Sequence, residues 1–122
     1  MNKYATKHNL SNLYVTNYID DIVGLFYIAD LVVGKTGGLT STECIGLQTP
    51  IATLKNLPSP EYNNMKYLLN KKLCVVIPKP KRAMSVIKNT DLKKISENMS
   101  KSNNKEGLEL FIKHILYTQI NI

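Results

Sequence analysis

A chain of 122 residues, 43% of them hydrophobic, has room for one packed domain, and no run in it reaches the ~18 apolar residues of a membrane span. Sixteen Lys and Arg against nine Asp and Glu leave a net charge of +7, which favours an anionic partner over an acid-seeking one. Cys44, Cys74, His8 and His114 lack the spacing of a metal site, and the N-terminus lacks the apolar stretch of a secretory signal.

Residues 1–11 are polar and read as a loose segment. Asn12 to Asn17 then reads as a strand. Asp20 is placed to cap a helix to about Ile28, with Ile22, Leu25, Phe26 and Ala29 buried at helical spacing. Leu31, Val32 and Val33 give the apolar run of a strand covered on both faces. After the pair Gly37-Gly38, a helix is expected from Thr40 to about Leu47. Thr49-Pro50 ends it and opens a strand over Ile51 to Leu54. Pro58-Ser59-Pro60 makes a loop, and Glu61 to Lys71 reads as a helix with Met65, Leu68 and Leu69 inward. Leu73 to Ile77 is a further strand, closed by Pro78 and Pro80. One helix is expected from Arg82 to about Met99. Residues 12–99 thus form the body of the chain. Residues 100–122 form a linker, Ser100 to Asn104, and an amphipathic helix, Glu106 to Thr118.

Regular alternation of strand and helix predicts an α/β fold, a Rossmann-like parallel sheet with helices on both faces. In such sheets ligands bind beyond the carboxyl ends of the strands. The loops Gly34 to Ser41 and Asn56 to Asn64 both leave from those ends, so they are expected to line one crevice.

The first loop carries the chemistry. Gly37 and Gly38 allow a sharp turn and close approach, while Thr40, Ser41 and Thr42 offer hydroxyls and free amides at a helix N-terminus. A phosphate-bearing ligand is the first expectation. Gly34-Lys35-Thr36 imitates the end of a P-loop, but that motif needs a glycine where Ala29 stands and a loop where the strand runs. Lys35 either faces phosphate or ends a strand in solvent. Thr40-Ser41-Thr42-Glu43 is also a capping box, in which Glu43 bonds back to the helix start. Glu61 is equally a first-turn acid favoured by the helix dipole. The basic residues Lys79, Lys81, Arg82, Lys88, Lys93, Lys94, Lys101 and Lys105 make a solvated face or meet an anionic membrane surface. No aromatic side chains interleave with them, so no nucleic-acid partner is expected. Cys44 and Cys74 read as buried thiols of a reducing compartment.

Together these segments resemble the donor-binding half of the family 28 glycosyltransferases. These GT-B enzymes include bacterial and plant diacylglycerol glycosyltransferases and the N-acetylglucosaminyltransferase of peptidoglycan synthesis. The matching residues are Ala29-Asp30-Leu31-Val32-Val33, Lys35-Thr36-Gly37-Gly38-Leu39-Thr40 with Thr42-Glu43, and the ending at Pro50. Pro58-Ser59-Pro60-Glu61-Tyr62-Asn63-Asn64 followed by Tyr67-Leu68 is similar to the family's Pro-Gly-Gln-Glu-x-x-Asn segment. The diacylglycerol enzymes look nearer, since their turn also tends to read Lys-x-Gly-Gly-Leu-Thr. The similarity runs from about Asn12 to Ile77.

The resemblance implies the C-terminal half of a GT-B donor domain, incomplete at its N-terminus, with a UDP-sugar as substrate and neither cofactor nor metal. Gly37, Gly38 and the backbone at Leu39 and Thr40 would hold the diphosphate. Glu43 would accept hydrogen bonds from the ribose, and Glu61 and Asn64 would sit near the transferred sugar. The chain departs from the pattern at Pro60, where the family usually has a sugar-bonding glutamine, and at Ser59, where it has glycine. The family's acceptor domain and catalytic base have no counterpart here, so a partner chain would supply them for hexosyl transfer to a lipid. A cytoplasmic protein, peripheral at the inner face of the plasma membrane, is implied. The alternative is a non-catalytic remnant or interaction protein. If Asn12 to Asn17 is the family's third strand, its neighbours are missing. It must pair beside the Leu31 strand, stay loose or meet another polypeptide, and the isolated chain is expected to be marginally stable or to associate.

Overall fold

Three short apolar runs, each followed by a polar or proline-bearing turn, form three parallel strands in the computed structural model, which describes residues 11–102 and, beyond them, Lys113. They are β1 (Val32–Val33), β2 (Ile51–Leu54) and β3 (Cys74–Ile77), in the order β1-β2-β3. Val32 faces Ile51 across the first ladder, and Ile51 to Leu54 face Cys74 to Ile77 across the second. The helices are α1 (Ile22–Ile28), α2 (Gly38–Leu47), α3 (Ser59–Asn70), α4 (Ala83–Lys88, after a 3-10 turn at Pro80–Arg82) and α5 (Leu92–Ser102). This is the expected α/β fold with Rossmann-like character.

Burial explains the sheet. In β2, the middle strand, Ile51, Ala52 and Thr53 are all buried, as a strand covered on both faces requires. A single cluster joins Cys44 and Ile45 of α2, Ile51, Met65 and Leu68 of α3, Leu73, Cys74, and Ile95 and Met99 of α5. α2 and α3 both end on a left-handed residue that is not glycine, Gln48 at φ 60° and Lys72 at φ 59°. The N–H groups of Gln48 and Thr49 bond back to Ile45 and Cys44, and those of Lys72 and Leu73 to Leu69 and Leu68, so both ends are Schellman motifs. α5 fastens both ends to the domain. Ser96 Oγ donates to Gln48 O at 2.8 Å and Asn98 Nδ2 to Lys72 O at 3.0 Å.

Several expectations are corrected. Asn12 to Asn17 is not a strand, because β1 is only two residues long and its ladder runs to β2. Leu31 to Val33 is not covered on both faces, for Val33 is 58% exposed. Asp21, not Asp20, caps α1, its carboxylate accepting from Gly24 N at 2.8 Å. Ile22 and Leu25 stay exposed and only Phe26 and Ala29 are half-buried, because α1 packs chiefly against α2. Leu69 also faces outward.

The long helix expected from Arg82 is broken. Asn89 and Thr90 bond back to the carbonyls of Ser85 and Val86, ending α4, and Asp91 accepts from Lys94 N at 3.1 Å to start α5. α5 then runs through Ser102, so the division at residue 100 falls within a helix. The segment 1–10 and the helix expected over 106–118 lie outside the described residues, Lys113 excepted.

Candidate functional site

The two loops expected to share a crevice are hydrogen-bonded to each other. Thr36, between β1 and α2, donates through Oγ1 to the carbonyl of Glu61 at 2.6 Å. Asn64 of α3 donates through Nδ2 to the carbonyl of Thr36 at 2.9 Å. Thr36 is fully buried and Asn64 is 2% exposed. Both loops leave the carboxyl ends of parallel strands, where ligands of such sheets bind.

α2 starts at Gly38, two residues earlier than expected, with Gly37 as its N-cap and no side chain bonded to that cap. The first amides of an α-helix have no partner within it, so the start of α2 presents uncapped N–H groups and the positive end of its dipole. Gly37 sits at φ −65°, ψ 154°, which any residue adopts, and a Cβ there would meet nothing within 4 Å. Neither strain nor packing among the described residues requires glycine at this position. What its missing side chain leaves is open space beside the helix start.

The earlier start also moves the hydroxyl residues. Ser41 is fully buried, and Thr42 Oγ1 donates back to Gly38 O at 2.8 Å. These two hydroxyls are therefore not displayed to solvent, while Thr40 remains half-exposed and Leu39 is exposed. Glu43 is half-buried in the second turn of α2, too far along the helix for a capping box. That alternative role for Glu43 is removed.

Among the described residues, three buried polar side-chain atoms have no partner: Ser41 Oγ, Glu61 Oε2 and Asn64 Oδ1. Buried polar groups are ordinarily hydrogen-bonded, and an unpaired one costs about 1–3 kcal/mol. Glu61 and Asn64 belong to α3 at the Thr36 junction, and Ser41 to the first turn of α2. The junction therefore combines amide donors at a helix start with acceptors that lack a donor, an arrangement suited to a ligand bearing both an anionic group and hydroxyls.

Other features are inert or lie elsewhere. Lys35 is exposed at the end of β1. Cys44 and Cys74 are buried free thiols; burial pushes Cys44 up to about 11, with Glu43's charge adding, and burial pushes Cys74 up to about 12. Among the described residues no three His, Cys, Asp or Glu gather as a metal site requires, and no helix is long and apolar enough to cross a membrane. An open groove lined by Asp30, Gln48, Pro50, Leu92, Lys93 and Ser96 lies at the opposite, amino end of the strands.

Of the expected site residues, the structure ties Glu61 and Asn64 to the loop before Gly37 and sets Gly37, Gly38, Leu39 and Thr40 in sequence along the start of α2. Thr36, which links the two loops, carried no assigned role in the sequence. Its signal was its place, a hydroxyl residue directly before the glycine pair.

No family model and no solved structure matches the chain. Curated proteins do. It is 35% identical over 71 residues to a processive diacylglycerol beta-glucosyltransferase of Bacillus cereus (strain B4264) and likewise to that of Bacillus cytotoxicus. It is 35% identical over 69 residues to the protein of the same name from Bacillus thuringiensis (strain Al Hakam). The matched stretch is 57–58% of this chain but only 18% of each of these relatives. The similarities support a glycosyltransferase-like relationship for the chain.

Proposed function

We propose that the chain is the UDP-hexose-binding portion of a glycosyltransferase that transfers the hexosyl group to a lipid acceptor. Gly37, Gly38 and the amides at Leu39 and Thr40 hold the diphosphate, and Glu43 takes the ribose hydroxyls. Glu61 and Asn64 lie near the transferred sugar. The observation that carries this reading is the pair of unpartnered buried atoms on Ser41 and Glu61, beside the uncapped start of α2 and the strand-end loop that Asn64 ties to it. A nucleotide sugar offers both groups that the junction lacks, phosphate oxygens for the amides and hydroxyl donors for the acceptors.

Transfer needs an acceptor platform and a positioned base. Both are supplied by protein outside these 122 residues, in the simplest case a partner chain. The setting is the cytoplasmic face of a membrane. Lys35, Lys55, Lys79, Lys81 and Arg82 are all exposed and follow the carboxyl ends of the three strands, a row that suits an anionic lipid surface.

Calorimetry with UDP tests the donor site. Wild type is expected to bind, and Glu43→Ala to bind several-fold more weakly with unchanged helix content. No heat and no thermal shift at millimolar UDP would remove the donor-binding reading. The second reading, a non-catalytic interaction protein, would then stand on the exposed apolar side chains of α1 and β1.

A further inference from the structure

We propose that Thr36 and Asn64 form a clasp that sets the position of the α2 N-terminus, and that Asn64 acts on the donor site through Thr36 and not by touching the transferred sugar. The inference rests on the donor-binding reading above and narrows the role of one of its residues.

Asn64 is 2% exposed, and one N–H of its side-chain amide is donated to the Thr36 carbonyl at 2.9 Å. A side chain held in this way points into the junction. Thr36 answers in the other direction, its hydroxyl reaching the Glu61 carbonyl at 2.6 Å. One fully buried residue thus both donates to and accepts from the first two turns of α3.

The loop has few other anchors. Gly34 N bonds Ala52 O at 3.0 Å at the end of β1, and Gly37 O accepts from Ser41 N at 2.9 Å as α2 begins. Between those two points, the cross-links among the described residues are the pair made by Thr36. Gly37 adds no side chain, and no side chain caps α2. The aim of the α2 amides therefore depends on Thr36, and Thr36 depends on Asn64. Losing either bond loosens the turn whatever sugar the ligand carries. It also strands a buried partner, which costs more than the bond itself contributes.

The test compares UDP with UDP-glucose on wild type, Asn64→Ala, Thr36→Val and Thr36→Ser, by calorimetry and by amide NMR of Gly37 and Gly38. Asn64→Ala and Thr36→Val are expected to weaken both ligands by the same factor, about tenfold. Both variants should also shift the Gly37 and Gly38 amide signals and speed their hydrogen exchange. Thr36→Ser keeps the hydroxyl and should restore both affinities. If Asn64→Ala weakens UDP-glucose while UDP binding is unchanged, Asn64 touches the sugar and the clasp is overturned. If wild type binds neither ligand, the donor-binding reading fails, but the amide signals still judge the clasp. Unchanged Gly37 and Gly38 signals in Thr36→Val overturn it. Should Thr36→Val not fold, Asn64→Asp puts an acceptor against the Thr36 carbonyl at constant size, and the same signals decide.

Discussion

Residues 11–33 and the half of the molecule built on β2, β3, α2, α3 and α5 are made of the same kinds of residue and end in opposite states. In the second, Leu68, Ile51 and Met99 are buried from water. In the first, Ile28 is 73% exposed, Tyr27 70%, and no residue of α1 is fully buried. Side-chain chemistry does not separate the two; covering does. Among the described residues β1 and β3 are both edge strands, but β1 is only two residues long, whereas β3 is four residues long and packs against α3 and α4. A helix on a two-residue strand has little to pack against, so its apolar stripe stays open. Open strand edges beside apolar side chains are where chains associate. The contrast gives the proposed need for a partner chain a physical location.

The largest expected effect measures the contrast directly. Leu68→Ala removes a fully buried side chain from the centre of the cluster and should cost about 2–5 kcal/mol in urea unfolding. Leu25→Ala, of the same chemistry on exposed α1, should change stability by less than ~0.5 kcal/mol. Equal losses would mean that α1 is covered in solution, by a second copy or by other parts of the chain, and sedimentation would identify which.

Where a segment's neighbours are near in sequence, reading it from the residues succeeds. β2 and β3 follow from Ile51 to Leu54 and Leu73 to Ile77, short apolar runs whose side chains Ile51, Ala52, Leu73, Cys74 and Ile77 are buried. The same reasoning fails for Asn12 to Asn17, since strand-forming residues cannot supply a strand to pair with. One helix was expected from Arg82 to about Met99, but Asp91 starts a second one within that span. The bonds of Asn89 and Thr90 to carbonyls one turn back decide the break. At the site, the glycine pair and both loops were legible. The clasp was not, since spacing along the chain does not reveal that Thr36 meets Asn64 across two elements.

Alkaline titration sharpens the comparison, because both thiols sit in the packed half. Their folded values, about 11 for Cys44 and about 12 for Cys74, lie above the ordinary 9.0 that an unfolded thiol returns to. A raised folded value means that the unfolded chain releases these protons first. The thiols' contribution is therefore complete below 9.0 and is lost as pH rises through 9.0 towards 11–12. Urea midpoints should fall over that interval more steeply for wild type than for Cys44→Ala/Cys74→Ala. Parallel curves would show that the two thiols do not carry the loss.

The smallest effect concerns the ends of α2 and α3, where the packed half tolerates local strain. Gln48 and Lys72 hold left-handed φ values near 60° that favour glycine. Relief of that strain is worth roughly 1–2 kcal/mol, and the added freedom of glycine in the unfolded chain takes back about 0.4–1 kcal/mol. Lys72→Gly and Gln48→Gly should therefore stabilise by up to about 1 kcal/mol in thermal unfolding, provided the bonds from Asn98 and Ser96 persist. Those bonds reach main-chain carbonyls, which the substitutions leave in place. A loss of stability in both variants would show that the two side chains pack against their surroundings more strongly than the backbone strain opposes them. The left-handed residues would then belong to the packing of the domain and not only to the turns that end its helices.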